Sequence, residues 1–232
     1  MKSVLVFFIT CFITSLNFAQ GVIDTTNVDN RYREDQFYVS VTYNILSNKP
    51  EGLSQSGFSS GFNLGFIRDM PLNKKRNKAI GIGLGLSYNS YNQNLLIQEE
   101  NDAYTYTVLS GDDDESYTKN KLSTYAIEVP IEYRWRTSTA ETYKFWRIYS
   151  GFKFSYLLGN ESKHNGDLGD FVYTANDDFN VLQYGLTLSA GYDNWNFNVY
   201  YGLNGMFNDD VIISGESTNL SVIKIGLIFY IL

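Results

Sequence analysis

The residues that could support catalysis are few, because the chain of 232 residues contains one histidine, His164. Ser162 and Asp167 lie close to it in sequence, and a serine, a histidine and a carboxylate are the residue types of an acyl-transfer triad. A triad needs a rigid fold to hold its members in contact, whereas residues 159–178 have the composition of a flexible loop. We therefore interpret His164 as a solvated loop residue and expect no enzymatic activity.

Two further patterns resemble ligand sites and are better explained otherwise. Asp112, Asp113, Asp114 and Glu115 supply carboxylates, but they lack the spacing, the glycine and the terminal glutamate of a calcium loop. A row of glycines at every second position, residues 81–85, lacks the lysine and the helix of a phosphate-binding loop. We expect a solvated acidic loop tip, a glycine-lined strand face, and neither a metal nor a cofactor.

A third group of ionisable residues lies inside alternating stretches and includes both signs of charge. Buried charges persist only when they are paired, so we predict that this group forms a structural charge cluster inside the fold. Its members are Glu128, Glu132, Arg134, Arg136, Arg147, Lys153 and Lys224.

The elements that must position this cluster are strands, because apolar and polar residues alternate along eight stretches of the chain. The apolar row of the first stretch, for example, contains Phe37, Val39 and Val41. Pro130 interrupts the fourth stretch and predicts a bulge or a lost ladder hydrogen bond. The eight predicted strands are residues 35–46, 58–66, 80–89, 121–136, 144–158, 182–192, 195–204 and 218–232.

The connections between these strands alternate in length, with short ones around Pro71, Thr139 and Asp193 and longer ones elsewhere. Short periplasmic turns and long outer loops are typical of membrane barrels, as is an abundance of aromatic residues. We therefore predict an all-β fold, an eight-stranded antiparallel transmembrane β-barrel formed by residues 35–232. A soluble barrel with an apolar interior stays open as the alternative, because alternation does not reveal which face is inside.

The two ends of the chain predict export to the outer membrane. Lys2, an apolar run and Ala19 form a secretory signal peptide, residues 1–19, with cleavage after Ala19. Residues 20–34 are polar and predict a periplasmic segment. Cys11, the only cysteine, lies in the signal, so the mature chain is expected to have no disulfide and no lipid anchor.

The last strand also predicts a partner. Residues 224–232, from Lys224 to Leu232, place a polar residue, a glycine and two apolar residues as in the C-terminal signal of outer-membrane barrels. We therefore expect contact with the barrel-assembly machinery and with outer-membrane lipid. The formal net charge of −7 argues against a nucleic-acid partner. Lys74, Lys75, Arg76 and Lys78 could contact an acidic periplasmic partner or lipid headgroups, or could form a solvated turn.

Five segments carry a family resemblance: residues 33–38, 65–71, 127–136, 145–149 and 226–232. Together they resemble the PorT-like outer-membrane β-barrel family, over nearly the whole mature chain. The resemblance implies an outer-membrane barrel with a link to type IX protein secretion. It favours a non-enzymatic accessory or structural barrel that binds other envelope proteins, with a small porin-like transport or ligand-binding barrel as the alternative.

Overall fold

The structure, a computed structural model, describes residues 33–100, 103–110, 116–139 and 144–231. The predicted signal peptide, most of the predicted periplasmic segment and the acidic stretch 112–115 therefore lie outside the described residues. Within the described ranges, no helix is long and apolar enough to cross a membrane.

The described chain folds into strands, and eight of them close into an antiparallel barrel in the order β1, β2, β3, β6, β7, β9, β10, β13 and back to β1. Closure pairs the first strand with the last, from Phe37 opposite Ile231 to Ser47 opposite Ser221. The eight-stranded fold predicted from the alternation is thus confirmed. The strands are β1 Gln36–Ser47, β2 Ser60–Pro71, β3 Lys78–Asn92, β4 Leu95–Glu100, β5 Ala103–Val108, β6 Tyr117–Arg136, β7 Trp146–Gly166, β8 Gly169–Thr174, β9 Leu182–Tyr192, β10 Trp195–Gly202, β11 Ile212–Ile213, β12 Glu216–Ser217 and β13 Ser221–Ile231.

The outer wall of the barrel is apolar and its interior is polar. Phe37 and Leu84 are both 61% exposed on the wall, while Ser40 and Asn63 on the opposite face are buried. This is the polarity of a membrane barrel and the reverse of a soluble one. The soluble-barrel alternative is therefore wrong.

The barrel has two different ends, which we call the turn end and the loop end. At the turn end the connections are residues 72–77, 137–145 and 193–194, and at the loop end they are longer. Aromatic pairs lie on the wall near both ends, as interfacial girdles require. Trp195 contacts Phe229 with ring centroids 4.9 Å apart near the turn end, and Tyr88 contacts Tyr125 at 5.2 Å towards the loop end.

Pro130 disturbs the ladder as a residue without an N–H should. The pairing of β3 with β6 skips Val129 and Pro130 opposite Gly83 and Leu84, and the register is the same on both sides of the gap. The predicted loss of ladder bonding is therefore present. The two register shifts between β6 and β7 lie between Tyr117 and Lys119 and between Tyr125 and Ala126, and not at the proline.

The loop-end connections contain more regular structure than the sequence predicted. The connection between β3 and β6 contains the hairpin of β4 and β5. Strand β7 continues past its expected end at residue 158 and pairs with β8. Residues 159–178 are thus largely an extended hairpin, so the prediction of a flexible loop around His164 was wrong.

Inward side chains at this end form an apolar cluster with the loops, which we call the loop-end cap. Its buried members include Leu46, Leu122 and Val222 from barrel strands and Phe179 and Phe207 from the connections. The rings of Phe179 and Phe207 are 4.5 Å apart. Packing of this kind fixes the loops onto the end of the barrel.

Candidate functional site

All seven residues of the predicted charge cluster face the interior, as their parity required. Each is at most 9% exposed, and Glu128, Arg134 and Arg136 are fully buried. They divide into a group at the turn end and a group near the middle of the lumen. The first contains Glu132, Arg134, Arg136 and Arg147, and the second contains Glu128, Lys153 and Lys224.

The centre of the turn-end group is Asp69, which sequence reasoning had placed in a turn. It is fully buried on β2. The Arg136 guanidinium donates to both of its oxygens, from Nη1 at 2.7 Å and from Nη2 at 2.8 Å. Arg134 Nη1 donates to the same carboxylate at 3.3 Å. Two buried cations therefore share this carboxylate, and Arg136 contacts it in the bidentate geometry that arginine favours.

The remaining N–H donors of Arg134 and Arg136 are only partly satisfied by hydrogen bonds. Arg134 Nε donates to Glu132 Oε2 at 3.1 Å, and Arg136 Nε donates to the Arg76 carbonyl oxygen in the turn between β2 and β3 at 3.0 Å. Arg134 Nη2 has no hydrogen-bond partner among the described residues. The network thus ties β2, β6 and a turn together but leaves one buried donor unmet.

Arg147 is held by aromatic rings and not by carboxylates. Its guanidinium lies over Phe145 at 4.4 Å and over Tyr230 at 5.5 Å from the ring centroids. Its Nε and Nη1 are buried and have no hydrogen-bond partner within the part of the chain that the structure describes. Cation–π contacts stabilise the charge but do not satisfy the N–H groups.

Glu34 brings a further carboxyl to this end from the segment that precedes β1. Its side chain is buried, and Oε2 has no hydrogen-bond partner among the described residues. Burial raises the pKa of the Glu34 carboxyl above its ordinary value, although the charges of Arg136 and Arg147 act to lower it. The attraction of the arginines therefore compensates only partly for the loss of water.

The glycine row of β3 makes room for the large inward side chains. A Cβ on Gly81 would lie 2.7 Å from Arg134 Nε, and one on Gly85 would overlap the Tyr38 hydroxyl. Gly83 lies against Pro130 and Ile67 in the same way. The row is a packing face, as the sequence predicted, and it determines where the arginine and the tyrosine fit.

The middle group is smaller and carries an excess of positive charge. Lys153 Nζ lies 2.9 Å from Glu128 Oε2. Lys224 lies near the same carboxylate, with Nζ 5.1 Å from the centroid of the Tyr200 ring. Together with the turn-end group below and the apolar loop-end cap above, these residues fill the lumen with buried side chains over its whole height.

Sequence reasoning missed Asp69 and Glu34. The alternation of Phe62, Leu64 and Phe66 on the wall, continued past residue 66, would have placed Asp69 on the inner face, and β2 does extend to Pro71. The parity of β1, continued backwards from Tyr38 through Gln36, would likewise have placed Glu34 on the inner face, although it precedes the strand.

The residues proposed for other chemistry do not form a site in the described part of the chain. Ser162 and His164 share a buried face of β7, but neither ring nitrogen of His164 has a hydrogen-bond partner in the described residues, and Asp167 is exposed at the hairpin turn. His164 packs between Tyr117 and Phe171. Burial lowers the pKa of His164, while Asp170 opposes that shift. Among the described residues, no group of three or more histidine, cysteine or acidic side chains is arranged to hold a metal ion.

Comparison with known proteins agrees with the architecture. A family model described as outer membrane protein beta-barrel domain matches residues 18–208, which is most of the chain. No curated protein matches the sequence.

Proposed function

Because the chain belongs to the outer membrane protein beta-barrel domain family, we propose that it is a non-enzymatic accessory or structural barrel that binds other envelope proteins. The observation that carries this proposal is the filled lumen. Fully buried Asp69, Arg134, Arg136 and Glu128 occupy the positions where a channel would need water. An eight-stranded barrel filled in this way has its loops and turns as surfaces for contact with partners.

The type IX secretion link is part of the proposal and rests on the resemblance to PorT-like barrels. The segments that carry the resemblance include residues 65–71 and 127–136. In the structure both contribute to the turn-end network, through Asp69 and through Arg134 and Arg136. Conditional depletion of the protein tests this link. Unchanged export of type IX cargo after depletion would refute it.

The chain is an outer-membrane barrel, and two steps of its biogenesis remain predictions. We expect cleavage after Ala19 and recognition of residues 224–232 by the barrel-assembly machinery. N-terminal sequencing of the purified protein checks the first, with Gln20 expected as the first residue. Deletion of residues 230–232 checks the second, because the deleted chain should accumulate unfolded in the periplasm without heat-modifiable migration.

A small transport barrel is the alternative function, and conductance separates it from the proposed one. We expect purified protein in planar bilayers to show no steady open state, because buried side chains occupy the lumen. A reproducible large conductance would contradict the proposal and favour a porin-like function.

A ligand-binding barrel would use the loop end instead of the lumen. A crevice of about 420 Å³ lies there, lined by side chains that include Tyr104, Tyr106, Asp178 and Asp210. The Tyr106 hydroxyl donates to Asp178 Oδ2 at 2.7 Å, so this wall of the crevice is ordered. Specific binding of a small molecule, lost in a Tyr104→Ala variant, would favour this alternative.

Partner binding is tested by affinity purification from gently solubilised outer membranes. We expect a stoichiometric envelope protein to be recovered with the tagged barrel. A variant with Lys74, Lys75 and Lys78 changed to glutamine tests the basic turn, and a Glu99→Gln, Glu100→Gln variant tests the loop end as a matched control. Recovery of the barrel alone under cross-linking conditions would contradict the proposal.

A further inference from the structure

We propose that the turn end of the lumen contains a carboxylate-binding site, built by Arg134 and Arg147, next to which the chain's own Glu34 is buried. The inference goes beyond the proposed function, because it assigns a ligand class to particular side chains. An acidic segment of another periplasmic chain would compete with Glu34 for this site.

Several buried N–H donors at the turn end have no hydrogen-bond partner in the part of the chain that the structure describes. Arg134 Nη2 and Arg147 Nε and Nη1 are buried without a hydrogen-bond partner among the described residues. Leaving a buried donor on a charged group unmet is costly, and such groups call for an explanation. By contrast, Arg136 is satisfied by Asp69 and by the Arg76 carbonyl oxygen.

Arg147 is positioned to bind an anion. The rings of Phe145 and Tyr230 hold its guanidinium in place, and it makes no ion pair with any described residue. Carboxylate is the natural complement of a guanidinium fixed in this way, because oxygen pairs match its N–H geometry.

Few hydrogen bonds to described residues hold Glu34 in the lumen. Its Oε2 has no partner in the described residues, and its backbone oxygen accepts one hydrogen bond from Arg134 Nη1 at 3.3 Å. The ladder between β1 and its neighbours begins at Gln36. Glu34 can therefore leave the lumen without breaking a strand pair. The neighbouring Asp35 is a second anchor, because its Oδ1 accepts from the Asp69 backbone N–H at 2.8 Å.

The test uses the processed chain, residues 20–232, refolded in detergent with a spin label on an Arg33→Cys variant. Arg33 is exposed next to Glu34, so the label reports whether the segment is docked. We expect an immobilised label that a glutamate-rich peptide releases and that a lysine-rich peptide does not.

Two variants and one control make the test specific. Glu34→Gln removes the competing negative charge and should tighten peptide binding about tenfold. Arg147→Gln removes a charge-assisted hydrogen bond to the peptide and should weaken binding about tenfold. Arg68→Gln removes an exposed guanidinium from the outer wall near the same end and should change nothing. Arg147→Lys keeps the charge and should bind with an intermediate affinity.

Equal responses of the Arg147→Gln and Arg68→Gln variants would overturn the proposal, as would the absence of peptide binding in both wild type and Glu34→Gln. If heat-modifiable migration shows that Arg147→Gln does not fold, the comparison of Glu34→Gln with wild type decides. Tighter binding then supports the site and unchanged binding refutes it. The test needs only the purified barrel, so its result is independent of any role in secretion.

Discussion

Replacing Asp69 by asparagine should be among the most damaging single changes in the barrel. The carboxylate is fully buried and receives three donors from two guanidinium groups, at 2.7, 2.8 and 3.3 Å. Asparagine has the same shape, but it is neutral and turns an N–H group towards one of the arginines. Removing one partner of a buried ion pair costs about 3 to 5 kcal/mol, because the other charge stays behind.

The loss should lie at the upper end of this interval, since Arg134 and Arg136 share the carboxylate. A loss of about 5 kcal/mol changes the free energy of unfolding enough to shift the unfolding equilibrium by a factor of roughly several thousand. Urea unfolding of protein refolded into lipid vesicles measures it, with heat-modifiable migration as the check on folding. Asp210→Asn, at an exposed position of the loop end, is the matched control and should change stability by less than about 0.5 kcal/mol.

A cost below about 1 kcal/mol for Asp69→Asn would refute the reasoning. It would mean that water reaches the turn end and screens both guanidinium groups. A double variant with Arg136→Gln provides a further check, because the two changes should be strongly non-additive when the residues interact directly.

Three further changes test other parts of the interior. Glu132→Ala should cost about 3 kcal/mol in the same urea assay, less than Asp69→Asn, because Arg134 keeps a second carboxylate. Gly81→Ala should lower the free energy of unfolding by about 1 to 3 kcal/mol, because the added Cβ clashes with the Arg134 side chain. Gly159→Ala is the control and should be nearly neutral, because a Cβ there would meet no atom within 4 Å. Equal costs of the two changes would contradict the packing argument. Phe207→Ala should lower the free energy of unfolding by about 3 kcal/mol and expose the loops to protease, because it removes a buried ring of the loop-end cap. Unchanged protection against protease would show that the cap does not fix the loops.

The barrel wall could be predicted from sequence because its two faces meet different solvents. Lipid selects apolar residues such as Leu84 and Phe197 at every second position, and the interior selects polar ones such as Asn63. This constraint acts on each membrane-spanning strand separately, so the strand count and the inward direction of Lys224 followed without knowledge of the tertiary structure.

The same constraint weakens beyond the membrane, and there the predictions failed. Asp69 lies close to Pro71 and to the polar residues of a turn, so local composition suggested a loop. The continuation of β7 through His164 was missed for a related reason, since both faces of that hairpin lie outside lipid. Its pairing with β8 depends on contacts between residues that the alternation of a single strand does not reveal.

The contents of the lumen could be predicted in kind but not in arrangement. Parity placed the charged residues inside, but the choice of Asp69 as the shared partner depends on the stagger between β2 and β6. The loop-end cap was not predicted, because the alternation along one strand does not reveal what the inward Leu46 and Leu122 contact. They are apolar since the connections above them supply an apolar surface.

The seam between β1 and β13 has a consequence for how the protein enters its membrane. Until that seam forms, the barrel is an open sheet whose inner face carries unshielded charges, and hydrocarbon tolerates neither those charges nor two rows of unpaired backbone groups. An inserted but unclosed sheet should therefore be too unstable to accumulate. Insertion and seam formation are expected to occur as one cooperative event, with the charged interior preventing the chain from stopping halfway.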